Sequence, residues 1–176
     1  MAEAEAAATA ADPREVDAPA LVEVRAQSLL IAIVRLALAA AGLSAAIVRG
    51  TRPGPAAGLF ALGAGVLTLA VLGGRRGAVA WDRLRSAKPL PAGARIVSRR
   101  QSLVRAAYPS TIGLSVLIAI SLAIDSALAA VLAGILAGIG GVALGFAAQL
   151  AAWERKRGAR VLAEPGGGGR VYEAPR

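Results

Sequence analysis

From Pro109 to Ala152 the chain runs 44 residues with a single charge, Asp125. An α-helix rises 1.5 Å per residue, so one straight helix over that run would be about 66 Å long, twice the roughly 30 Å hydrocarbon core of a bilayer. The run must fold back on itself. Asp125-Ser126 is the polar break within it and the natural place for a short turn, with either residue suited to capping the helix that follows. This predicts one span at about 109–124 and another at about 127–152.

Two further apolar stretches come earlier. Residues 27–48 include SLLIAIVRLALAAAGLS, broken only by Arg35, and residues 56–73 carry no charge. Between them lies Arg49-Gly-Thr-Arg-Pro-Gly-Pro55, a connection dense in helix breakers. Hydrophobic residues make up 56% of the chain, against about 45–50% for soluble domains, and the charges are crowded into a few segments. The chain reads as an all-α, polytopic integral membrane protein with four transmembrane helices in two hairpins. Residues 20–152 form that domain, and its partner is the lipid bilayer.

The segments outside the spans are polar. Residues 1–19 hold five acids and one Arg, which predicts a disordered tail rather than a secretory signal. A helix is expected to start near Asp17, with Pro19 in its first turn and Val22, Glu23 and Arg25 as an amphipathic lead-in. Residues 74–108 hold nine cations against one acid, Asp82. Lys88-Pro-Leu-Pro-Ala-Gly93 should divide this loop. In its second half, residues 94–107, Ile96, Val97, Leu103, Val104 and Ala107 share one helical face, and Arg95, Arg99 and Ser102 lie largely on another. Residues 153–176 read as a flexible, basic and Gly-rich tail.

Four spans place the N-terminus, the long loop and the C-terminus on one side, with 17 of the 20 cations; Arg49 and Arg52 lie opposite. The positive-inside rule makes that side cytoplasmic, with Trp153 and Tyr108 as interfacial anchors. Eighteen of the 20 cations are Arg. In a chain rich in Ala and Gly this suggests GC-rich bacterial coding, and hence a bacterial cytoplasmic (inner) membrane location.

There is no Cys and no His, which excludes disulfides, thiolate and imidazole chemistry and conventional zinc sites. The spans offer one Arg, one boundary Asp and some hydroxyls. No catalytic residue, metal site or cofactor is expected. A proton-coupled transporter would usually carry an acid inside a span.

Three features remain. In the fourth span Gly134 and Gly138 form one GxxxG pair and Gly141 and Gly145 another, while Ala133, Ala137, Gly141 and Gly145 follow at i+4. Ala57, Ala61 and Gly65 make a weaker version in the second span. Small residues let helix backbones approach closely in lipid, either within this chain's own bundle or in a homo-oligomer or partner complex. Arg95, Arg99, Arg100 and Arg105 in the basic loop serve as a topology signal, bind anionic lipid headgroups, or dock an acidic partner. No nucleic-acid motif accompanies them.

The third feature is Arg35, whose Cα is about 12 Å inside the cytoplasmic boundary at the helical rise; its side chain leans toward the helix N-terminus, which brings the guanidinium to a depth of about 6 Å. Thr68, Ser115 and Gln149 fall roughly 6–9 Å deep by the same count, so Arg35, Thr68, Ser115 and Gln149 are candidates for one polar layer of donors and acceptors. The alternative is that Arg35 snorkels to lipid phosphate. The function expected is that of a small non-catalytic bacterial membrane protein. It would be an accessory or assembly factor acting through helix packing and its basic loop. The alternative is a homo-oligomeric pore or small transporter built on the Gly-rich fourth helix.

Overall fold

The computed structural model describes residues 20–72, 82, 84, 86–91, 94–96, 99–164 and 170–175, with the backbone alone for 96 and 99–109. The acidic segment 1–19, with the helix start expected near Asp17, lies outside the described residues. Among those described, four long helices form the body: α1 (Val24–Val48), α2 (Pro53–Leu72), α3 (Arg99–Ile124) and α4 (Ser126–Arg157). Helices α1, α2 and α4 are long and apolar enough to cross a membrane. In α3 the run without a charge is 106–124, about 28 Å at 1.5 Å per residue.

Helix α4 is the centre of the bundle. It packs most extensively against α1 and α2, while α3 lies more lightly against α1 and α4. The middle of the core joins Ala39, Ile118, Ala133, Leu136 and Ala137. Nearer the turns it joins Ala46, Ala129 and Ala130. Such small side chains bring the axes close, and at the α2–α4 crossing even a methyl group would not fit. A Cβ on Gly134 would collide with the Phe60 carbonyl, one on Gly63 with the Val131 carbonyl, and one on Gly138 would sit 2.8 Å from the Ala64 oxygen. The outer surface is apolar instead of charged: Ile33, Leu62, Val66, Leu69, Val116, Leu117 and Ile120 are exposed, as expected of helices solvated by lipid.

Both hairpin turns lie at one end of the bundle, where Thr51 Oγ1 donates to Ser126 Oγ at 2.6 Å. Pro53 opens α2 at the first helical position, where its missing N–H costs nothing. Asp125 caps α4, its Oδ1 accepting the Ala127 N–H at 2.8 Å. At the far end Gly158 stops α4 in the left-handed conformation, φ 65°. Arg155, Lys156 and Arg157 fill the last turn, where cations complement the helix dipole.

The all-α expectation is corrected at that far end by five short strands: β1 (Ala20–Glu23), β2 (Lys88–Pro89), β3 (Arg95–Ile96), β4 (Ala159–Ala163) and β5 (Val171–Pro175). They form one sheet in the order β2-β5-β4-β1-β3. Strands β4 and β5 are an antiparallel pair with Leu162 opposite Tyr172. Strand β1 runs antiparallel to β4, with Val22 opposite Ala163, and β3 runs parallel to β1. Strand β2 runs parallel to β5. Four residues, ALVE, do not distinguish a helical period from a strand; pairing with β4, some 140 residues away in sequence, decides it.

Three boundaries move accordingly. Residues 20–23 are a strand and not a helical lead-in, and α1 starts at Val24. The segment expected as an independent amphipathic helix at 94–107 divides into β3 and the first turns of α3, which runs through Pro109. The tail expected to be flexible begins with the last turn of α4 and continues in β4 and β5. The Gly166–Gly169 linker within it lies outside the described residues.

Candidate functional site

Two polar constellations stand out, one within the apolar length of the bundle and one where the bundle meets the sheet. The first is built on Arg35. Its aliphatic part packs against α4, so that a Cβ on Gly140 would lie 3.3 Å from Arg35 Cβ. Its guanidinium reaches across to α3, where Nε donates to Thr111 Oγ1 at 3.0 Å and Nη2 donates to Ser110 Oγ at 3.0 Å. Thr111 is buried, Ser110 is exposed, and Arg35 is half-buried between them. Helical side chains lean toward the helix N-terminus, which here means toward the sheet. That lean lets Arg35 reach Ser110 and Thr111 on α3.

Both acceptors are neutral. Among the described residues no carboxylate pairs with Arg35, and its only hydrogen bonds are those to Ser110 and Thr111. Nε and Nη2 share one edge of the guanidinium plane, so the hydroxyl pair occupies that edge. The other edge, with Nη1 and the second N–H of Nη2, has no hydrogen-bond partner among the described residues.

The second constellation is built on Glu154, 1% exposed near the end of α4. Its Oε2 accepts from Arg25 Nη1 on α1 at 3.2 Å, and its Oε1 accepts the Val161 N–H of β4 at 3.1 Å. One carboxylate thus ties α4 to both the start of α1 and the sheet. Around it Leu84, Leu150 and Val161 are buried, with Val24, Phe146, Trp153 and Val171 packed on them. Outside this junction the Arg157 guanidinium lies 5.0 Å from the Trp153 ring centroid and 3.5 Å from Glu173 Oε1. The sheet has a second cluster in Leu21, Leu162 and Tyr172. Neighbours such as Val161 and Leu162 point to opposite faces of a strand, and both are buried.

The structure does not join Arg35, Thr68, Ser115 and Gln149 through hydrogen bonds. Thr68 Oγ1 donates to its own helix at the Ala64 carbonyl, 2.8 Å away. Ser115 Oγ donates to the Thr111 carbonyl at 2.8 Å, one turn from the real partner of Arg35. Gln149 is exposed, and it lies about 13 Å along α4 from Gly140, the residue beside Arg35. Ser110 and Thr111 become boundary residues when the third span is counted from Pro109, and a count of depth alone does not say whether Arg35 turns toward α3 or α4.

The small residues of α4 divide into two groups. Gly134 and Gly138 face α2, and Ala133 and Ala137 are buried in the central core. Gly141 and Gly145 are exposed, with open space where a Cβ would stand. On α2 the contacts are made by Phe60, Gly63 and Ala64, whereas Ala57 and Ala61 are exposed and Gly65 fronts open space. Of the basic-loop residues, Arg95 is exposed on β3. The side chains of Arg99, Arg100, Arg105 and Tyr108 lie outside the described residues. Among the described residues no group of three or more His, Cys, Asp or Glu is placed to hold a metal ion. No protein-family model matches the chain, and neither a curated protein nor a solved structure matches it.

Proposed function

We propose that this is a non-catalytic membrane protein of accessory or assembly type, spanning the bilayer four times with both termini inside. Its sheet is the working surface. The observation that carries this reading is the convergence of three separate segments, before α1, between α2 and α3, and after α4, on one five-stranded sheet. That sheet is tied to the bundle by a buried carboxylate. Loops that served only as connections between spans would not need a shared fold. The positive-inside rule assigns this end to the cytoplasm, since the segments that four spans leave on that side hold 17 of the 20 cations in the sequence, and that basic charge suits anionic lipid headgroups or an acidic partner. The Arg-, Ala- and Gly-rich composition suits a bacterial inner membrane.

A second reading has its own support. Gly141 and Gly145 leave a shallow exposed strip on α4, which suits close approach by a second copy and so a homo-oligomeric pore or small transporter. Thr68 and Ser115, by contrast, spend their hydroxyl protons on carbonyls of their own helices, which favours the accessory reading. Mild-detergent purification with native mass analysis separates the two. Co-purifying partners support the accessory role. A lone homo-oligomer whose ion or dye flux in proteoliposomes is abolished by Gly141→Leu would replace it with the pore.

A further inference from the structure

We infer that Arg35, with Ser110, forms a phosphate site filled by the headgroup of a membrane phospholipid from the leaflet on the sheet side. The inference rests on the reading of the helices as membrane spans. An arginine within a span carries a full charge that lipid cannot solvate, and such residues take a partner or reach the interface. The protein supplies Arg35 with two hydroxyls and, among the described residues, no counter-charge. Thr111 and Ser110 hold the guanidinium by one edge, which fixes its plane. The free edge presents two parallel N–H donors, the geometry that grips two oxygens of a phosphate at once.

Position favours the lipid as the source of that phosphate. Arg35 precedes the end of α1 at Val48 by 13 residues, so its Cα is about 20 Å from the turn end, and the side chain extends roughly 6 Å further toward the sheet. In a core of about 30 Å the guanidinium then lies within about 5 Å of the sheet-side boundary. Ser110, exposed and accepting from Nη2, keeps its own O–H for a phosphate oxygen.

The test is native mass spectrometry of the full chain in mild detergent with added phosphatidylglycerol. Wild type is expected to retain one lipid. Arg35→Leu should lower its occupancy about tenfold, the loss of a charge-assisted bidentate contact, and Ser110→Ala about threefold. Arg35→Lys keeps the charge without the fork and should fall between them. If Arg35→Leu does not fold, the other two variants decide, and wild-type occupancy in both overturns the site. Glycerol 3-phosphate in large excess should leave the bound lipid in place; displacement would assign the site to a soluble phosphate ester and overturn the lipid. Loss of a dimer on Arg35→Leu without loss of lipid would give the charge to a second copy, which also overturns the inference. Carbonate extraction of membranes from the same cells isolates the underlying reading. A protein released by carbonate is not a spanning protein, whereas one retained with unchanged lipid occupancy loses only this site.

Discussion

Glu154 and Arg25 meet at 3.2 Å across the base of the bundle, with the carboxylate 1% exposed and the guanidinium side chain 39% exposed. The asymmetry decides what each contributes. Arg25 remains partly in water, while Glu154 is committed to the interior, where it also accepts the Val161 N–H. Removing one member of a buried pair is harsher than replacing the pair, because the charge that remains is less well compensated.

Arg25→Gln should therefore destabilise the protein by about 1–3 kcal/mol, a buried-pair value discounted for the exposure of Arg25. Glu154→Gln, which keeps an acceptor for the Val161 N–H, should cost less, about 1–2 kcal/mol. Hydrogen exchange read on β4 and β5 is the measurement. Equal protection in wild type and Arg25→Gln would mean the sheet does not depend on this tie.

Gly134 and Gly141 lie seven residues apart in α4, and their substitution should diverge sharply. Gly134→Ala drives a methyl group into the Phe60 carbonyl and should cost about 2–4 kcal/mol, as overpacking against backbone has no flexible neighbour to yield. Gly141→Ala enters open space and replaces a poor helix former with a good one, so it should be neutral or stabilising by up to about 1 kcal/mol. Thermal unfolding in detergent reports both. A comparable loss at Gly141 would show that a second helix covers that strip.

Thr51 and Ser126 join the two hairpin turns through one hydrogen bond of 2.6 Å. Thr51→Val and Ser126→Ala should each cost about 0.5–1.5 kcal/mol. The double variant should cost less than their sum, because the two changes delete the same bond. Strict additivity in the cycle would mean that the contact carries no energy.

The helices were legible because lipid imposes length and apolarity on any helix that crosses it. A 44-residue run with one Asp permits little else. The sheet was not, since its strands are two to five residues long and exist only through pairing between segments far apart in sequence. One local signal was present: Val161-Leu162 and Val171-Tyr172 flank the Gly166–Gly169 run, the pattern of two strands around a glycine loop. Charge concealed it, because Glu-Arg-Lys-Arg157 reads as a solvated end while in fact closing α4 and shielding a buried carboxylate. For Arg35 the missing element was rotation. Depth along a helix can be counted from sequence, but the choice between α3 and α4 as its partner depends on which face α1 presents.

The orientation can be tested cleanly because the chain contains no Cys, so any introduced thiol is the sole target for maleimide. Arg52, Lys88 and Lys156 are all exposed, and a substitution at each leaves the core untouched. With both termini inside, Arg52→Cys in the first hairpin turn should be labelled by a membrane-impermeant maleimide in intact cells. Lys156→Cys should react only after permeabilisation. Lys88→Cys tests whether α3 crosses. If α3 and α4 together form a hairpin that crosses and returns, Lys88 and Lys156 share a side and react alike, as they must to build one sheet from β2 and β5. Labelling of Lys88→Cys but not Lys156→Cys in intact cells would separate those strands by a membrane and sink the four-span topology.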